Sequence, residues 1–259
     1  MEFLATEARG EVALIGLNRP DKRNAISDAF IDELDVAVAA AERTAKAGVI
    51  HGFGPHFCAG LDLAEHVKKT PFEGIQGSRR WHQVFDRIHR GKLPWFAALH
   101  GAVVGGGLEL ASSAHVRIAD STAFFALPEG QRGIFVGGGG SVRTARLMGT
   151  ARMTDLMLTG RSVDADTAER WNIVQYVVPA GAALAKAIDL AARAATNAEM
   201  SNYAIINALP RIQDMGSDDG LFVESFVAAF TSTSSEAQDR LNAFLAKRAN
   251  KVARPGGDG

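Results

Sequence analysis

Between residues 11 and 178 short apolar runs alternate with stretches of helical spacing, and beyond Ala182 only the helical spacing continues. That order restricts the chain to an α/β core with mostly parallel strands, because a strand followed by a helix brings the next strand back in the same direction. "EVALIGLN" (11–18) is β-branched, stops at the turn-like "NRPDKRNA", and reads as a strand. "SDAFIDELDVAVAAAERTAKAG" (27–48) reads as a helix with Ser27 as its N-cap, Ile31, Leu34 and Val38 on its inner face, and Gly48 as its stop. "GVIHGFG" is a short strand entering a loop, and the segment from Pro71 leads into a helix whose apolar face includes Trp81, Val84, Phe85 and Ile88. "PWFAALHGAVVG" reads as a buried strand and turn, while "HVRIAD" and "AFFAL" are two further strands. The organisation expected is an α/β core over residues 1–190 and a helical region over 191–259, ending in a frayed "ARPGGDG".

Composition narrows the class. With 259 residues, 47% hydrophobic and 22% charged, the chain can bury a sizeable core and is not disordered. A formal net charge of −1 gives no bulk attraction to nucleic acid or to anionic membranes. The single cysteine, Cys58, rules out an internal disulfide and fits a reducing compartment. No apolar run approaches the roughly 20 residues that span a bilayer, and the acidic N-terminus does not read as a signal peptide. A soluble cytoplasmic protein is expected.

Two acidic residues break this pattern. "HGAVVGGGLELASS" (100–113) is almost wholly small and apolar, yet carries Glu109; "FFALPEGQRGIFVGGGG" (124–140) sets Glu129 between a hydrophobic run and a glycine tract. A buried ionised carboxylate without a partner costs several kcal/mol or stays protonated, so both need an explanation. Nucleotide-binding explanations fail: Leu110 stands where G-x-G-x-x-G needs its last glycine, and no lysine follows the 137–140 tract. The seven histidines form no H-E-x-x-H, a metal site is not expected, and Ser141 lies outside a G-x-S-x-G elbow. Glycines before likely helix starts, in "GPHFCAGLDL" (54–63) and "GAVVGGGLEL" (101–110), suit either tight packing or two main-chain N–H groups converging on one oxygen.

Four segments taken in order resolve the choice. "NRPDKRNA", "HFCAGLDL", "GAVVGGGLELA" and "LPEGQRGIFVGGGG" resemble, over nearly the full chain, the crotonase (enoyl-CoA hydratase/isomerase) superfamily. The resemblance implies a spiral of ββα units with a C-terminal helical oligomerisation region. It implies hydration of a short-chain enoyl-CoA thioester, with double-bond isomerase, thioester hydrolase or lyase chemistry as alternatives and RNA binding as a remote one. Coenzyme A would enter as part of the substrate and no separate cofactor is expected. Glu109 would hold and activate water and Glu129 would protonate Cα, while the N–H groups of Leu61 and Gly106 would hold the thioester oxygen. Lys22, Arg23, Ala25, Ala59, Asp62 and Leu63 would border coenzyme A, and Gly137 would begin a helix pointing at the acyl group. A homotrimer or dimer of trimers, with no nucleic-acid or membrane partner, is implied. One stretch departs from the family pattern: "EGQRGIF" puts Gln131 and Arg132 where apolar residues are common, and if either side chain reaches the acyl pocket a short or heteroatom-bearing acyl group is implied. The branch that contains methylthioacryloyl-CoA hydratase is the most similar.

Overall fold

The computed structural model describes residues 1–66, 69–246 and 248. Its chain begins with an antiparallel pair, β1 (Leu4–Arg9) and β2 (Val12–Leu17), followed by α1 (Asp28–Thr44) and β3 (Ala47–Gly52). The short helix α2 (Leu63–His66) and the long α3 (Pro71–Arg90) lead to β4 (Trp95–Leu99), β5 (Ala102–Val104) and α4 (Gly106–Ala111). Next come β6 (Val116–Asp120), β7 (Phe124–Ala126), α5 (Gly140–Met148) and α6 (Thr150–Thr159). β8 (Ser162–Asp164), α7 (Ala165–Arg170), β9 (Tyr176–Val178) and α8 (Ala183–Ala195) complete this part.

The strands make two sheets. One has the order β1-β2-β3-β4-β6-β9 and is parallel after its first pair; the other has the order β5-β7-β8. β4, β5 and α4, then β6, β7 and α5, each place one strand in the large sheet, the next in the small one, and a helix after it. Two isolated bridges, Ile26 with Leu61 and Cys58 with Val103, lengthen the small sheet across the segments that carry "RNA" and "CAGL".

Period-two alternation explains why the large sheet is buried on both faces. Val12, Leu14, Val49, Phe96 and Ala98 point to a layer closed by α8, whose Ala183, Ala187, Ala191 and Ala195 form a thin stripe at four-residue spacing. Ile15, Leu17, Ile50, Ala97 and Leu99 face the main core, where α1 and α3 contribute Phe30, Leu34, Trp81 and Phe85. Because α8 packs on the sheet along its whole length, the division between the two units falls after Thr196. The expected boundary at 190/191 would cut this helix, so the sheet-covering role of α8 places the boundary later. The second unit, from Asn197, contains α9 (Glu199–Ile212), α10 (Ser217–Thr231) and α11 (Ser235–Leu245). On α10, Phe222, Phe226 and Phe230 recur every fourth residue and are exposed. Among the described residues no helix is long and apolar enough to cross a membrane. The expected fraying of "ARPGGDG" lies outside the described residues.

Two local expectations are corrected. Gly48 does not end α1; the helix stops at Thr44, and Gly48 sits inside β3, where the Trp95 ring lies against its Cα and leaves no room for a side chain. β1 escaped notice because four of its six residues are exposed, so it carries little apolar signal. Ser27 caps α1 as expected, its hydroxyl accepting from the Phe30 N–H at 3.2 Å.

The loop after β2 is tied down by one buried side chain. The Asn24 carboxamide accepts from the Arg19 N–H at 2.8 Å and donates to the carbonyls of Phe53, His56 and Phe57 at 2.9–3.1 Å. Arg23 and Asn24 both adopt left-handed conformations, with φ of 51° and 56°. Asn24→Ala strands these groups and strains the backbone, and is expected to cost about 2–4 kcal/mol of stability in urea unfolding.

Candidate active site

α4 is short, wholly buried, and opens with glycines for a steric reason. Gly105 has φ 53° and a Cβ there would lie 2.8 Å from Glu129 Oε1, while α4 itself presses on the Cys58–Leu61 segment. Glu109 therefore projects from a buried helix and is only 3% exposed; Glu129, just beyond β7, is 5% exposed. Both line one cavity of about 590 Å³.

The two carboxyl groups meet different surroundings. Glu109 Oε1 accepts from the Gly138 and Gly140 N–H groups, each at 2.8 Å. Gly140 is the first residue of α5, so the carboxylate caps the positive end of that helix. The approach is possible only because these positions lack side chains: a Cβ on Gly140 would stand 2.8 Å from Glu109 Cγ, and one on Gly138 3.2 Å from Glu109 Oε2. Arg143, on the same helix, donates to the Gly138 carbonyl and thereby steadies the turn that supplies one donor. Glu129, by contrast, has a buried Oε2 with no hydrogen-bond partner.

Burial raises both acids, and what opposes it separates them. For Glu109 the upward shift from burial is countered by the Gly140 and Gly138 amides and by the charge of Arg143. For Glu129 burial dominates, its own amide counters, the charge of Glu109 adds, Arg132 counters weakly, and the result is pushed up to about 7. Glu109 stays raised on balance, burial outweighing its amides and Arg143. When the pair shares one proton, the amides that Glu129 Oε2 lacks favour the charge on Glu109, and the two titrate as a pair.

Beside them lie two main-chain donors. Ile26 donates to the Gly60 carbonyl at 2.8 Å and accepts from Asp62 at 2.9 Å, so the Leu61 N–H between these contacts points the other way. Gly106 is the first residue of α4 and has no intrahelical acceptor. A Cβ on Gly106 would stand 3.4 Å from the Leu61 nitrogen, which puts the two amides side by side. Among the described residues neither N–H has an acceptor.

Not every expected residue joins the cavity. Leu61, Gly106, Glu109, Glu129, Leu63 and Gly137 line it. Lys22, Arg23, Ala25, Ala59 and Asp62 do not, but they are stitched to its edge: Ala59 donates to the Arg23 carbonyl at 2.9 Å and Ala25 to the Lys22 carbonyl at 3.1 Å. Asp62 forms an ion pair with Arg19 at 2.8 Å and accepts from the Ala64 N–H, so it holds the turn between Leu61 and α2. Gly137 does not begin a helix. It lies in the irregular segment before α5, its carbonyl accepting from the Ser78 hydroxyl at 2.6 Å, and the helix end expected to face the acyl group is occupied by Glu109. Gln131 turns away to the Thr159 carbonyl at 2.8 Å, whereas Arg132 lines the cavity. Trp81 also lines it and Phe85 packs behind. Cys58 is buried with its thiol pushed up to about 12, an inert core position. Among the described residues no cluster of histidine, cysteine and acidic side chains could hold a metal ion. The amides of Gly138 and Gly140, and Arg143, are the parts that sequence reasoning missed; the 137–140 glycine tract was their only signal.

Because the charge of Glu109 raises Glu129, Glu109→Gln is expected to lower the pH at which Glu129 titrates. Carbon-13 NMR of labelled glutamate measures this, and an unchanged midpoint would show that the two groups are not coupled.

Residues 7–253 match the model of the family described as enoyl-CoA hydratase/isomerase. The chain is 31% identical to a short-chain-enoyl-CoA hydratase of Clostridium acetobutylicum, over 93% of this chain and 94% of that one. It is 28% identical to the enoyl-CoA hydratase EchA19 of Mycobacterium tuberculosis, over 94% and 93%. A solved structure from Rhodopseudomonas palustris, provisionally described as an enoyl-CoA hydratase, superposes with a TM-score of 0.92 at 47% identity, over 95% of both chains. With the ββα layout, the paired glutamates and the adjoining amides, these matches lead to one conclusion: the chain belongs to the enoyl-CoA hydratase/isomerase family.

Proposed function

We propose that the protein is an enoyl-CoA hydratase that adds water across the α,β double bond of a short-chain CoA thioester. The observation that carries the reading is the convergence, in one cavity, of two buried carboxyl groups with opposite hydrogen bonding and two amides with no acceptor.

The thioester oxygen accepts from the Leu61 and Gly106 N–H groups, which draws electron density from Cβ. These donors are fixed by the fold and need no reorganisation as charge builds on that oxygen. Glu109, ionised, accepts a proton from a water molecule as its oxygen bonds to Cβ. The π electrons move to Cα and the thioester, giving an enolate at the amide pair. Glu129, protonated, gives its proton to Cα, and the enolate collapses to the β-hydroxyacyl thioester. The pair then holds its one proton on Glu109, and transfer through product or solvent returns it to Glu129. The 22–25 loop and Ala59 border the coenzyme A moiety.

Three further properties belong to the proposal. The exposed Phe222, Phe226 and Phe230 row on α10 is covered by further copies of the chain in a homotrimer or dimer of trimers. A cytoplasmic location fits the lone, inert Cys58. Substrate is the partner, with coenzyme A carried on it.

Crotonyl-CoA is expected to lose its conjugated absorbance when incubated with the protein. Turnover of only a β,γ-unsaturated thioester would replace hydration with isomerisation. Glu109→Gln and Glu129→Gln are each expected to lower kcat by about 10²–10⁴-fold with folding intact, and normal rates in both would refute the assignment. Because Glu129 must be protonated to donate, activity is expected to be full at low pH within the range set by Glu109 and to fall as pH rises through about 7. Light scattering should give the mass of three or six chains.

A further inference from the structure

We infer that Arg132, with Arg79 beside the same cavity, selects an acyl group whose far end carries a carboxylate. This deepens the hydratase reading and rests on it. Three cationic side chains line the cavity apart from its histidine: Lys69, Arg79 and Arg132. Lys69 is neutralised by Asp28 at 2.6 Å. Among the described residues neither Arg79 nor Arg132 has a side-chain hydrogen bond or an ion pair, and both are exposed to solvent. The two acids of the cavity do not balance them: Glu109 is bound to the Gly138 and Gly140 amides and faces Arg143, and Glu129 is the acid that donates a proton. The cavity lining therefore offers two solvent-exposed guanidinium groups with no ion-pair partner among the described residues, either of which a carboxylate brought in by the substrate can pair.

The placement of Arg132 says which part of the substrate meets this charge. With the thioester oxygen at Leu61 and Gly106, and Cα at Glu129, the acyl chain continues past Cβ along a different wall of the cavity. Arg132 lies one tight turn beyond Glu129, within its electrostatic reach, and Arg79 adjoins Ser78, which bonds the Gly137 carbonyl. Ile75, Ile134 and Phe135 also line the cavity and offer apolar contact for intervening methylenes. A guanidinium fork binds a carboxylate with two parallel hydrogen bonds, which a lysine cannot reproduce.

The test compares kcat/KM for two short α,β-unsaturated CoA thioesters, one ending in a carboxylate and the other in an isopropyl group of the same shape. The wild-type protein is expected to favour the carboxylate by about tenfold or more, and Arg132→Gln to remove most of that preference. Arg132→Lys should keep part of it. Equal wild-type rates, or equal losses for both thioesters in Arg132→Gln, would overturn the inference. Inhibition by free coenzyme A separates the other source of negative charge: weaker inhibition in Arg132→Gln together with equal losses assigns the guanidinium to the coenzyme's phosphates and also overturns it. If the wild-type protein hydrates neither thioester nor crotonyl-CoA, the hydratase reading fails on its own. Calorimetric binding of the same two thioesters then still decides whether Arg132 prefers the carboxylate.

Discussion

The grip of two main-chain amides on Glu109 is the constraint around which the site is built. A carboxylate can enter a buried helix only if donors meet it there, and here they come from Gly138 and Gly140 at the start of α5. The grip dictates the glycine tract, since a side chain at either position would meet the carboxylate or the Trp81 and Phe85 rings. It fixes α5 against α4, and Arg143 closes the arrangement by holding the Gly138 carbonyl. The stacked small residues around Gly106 and Gly107 follow from the same need, because α4 must lie against the Cys58–Leu61 segment to bring its first amide beside that of Leu61.

From that grip comes the inequality of the two acids. Each is buried, and burial alone would push both upward and leave them alike. Hydrogen bonding breaks the tie. Each amide donated to a carboxylate favours its charged form, and Glu109 has two while the buried Oε2 of Glu129 has none. The charge so fixed on Glu109 then acts across the cavity to keep Glu129 protonated. One acid is the base because the backbone favours its charge, and the other is the acid chiefly because it is buried, with its neighbour's charge adding to that effect.

The sequence carried the fold at the scale of units and lost it at the scale of junctions. Alternating apolar runs identified β2, β4, β6 and β7 because each is buried on a face and flanked by turn residues. β1 was hard to see because most of its side chains face water, and Gly48 misled because a glycine that makes room for the Trp95 ring looks the same in one dimension as one that stops a helix. The α8 boundary was misplaced for a similar reason: its alanine stripe reads as part of a helical tail, whereas only the packed sheet shows what it covers. In the site, Glu109 and Glu129 were legible as carboxylates out of place in apolar runs. Their partners were not, because a donor amide has no residue type, and the segments that supply Leu61, Gly106 and Gly138 meet only once the two sheets have closed.

The tight turn after Glu129 shows how a fixed catalytic pair can coexist with an adjustable acyl pocket. Gly130 packs directly on the Met157 carbonyl, and Gln131 reaches the Thr159 carbonyl, so the turn is fastened to α6 from its outer side. Successive residues of a three-residue turn point about a third of a revolution apart. Fastening Gln131 outward therefore directs Arg132 toward the cavity without disturbing Glu129, whose carboxyl is placed by the chain before the turn. The polar pair that departs from the family pattern thus divides its work: one residue anchors the turn, and the other alters the charge that the acyl group meets. A substitution at position 132 can change which thioester is preferred while the amides and acids that perform the addition stay where the glycines put them.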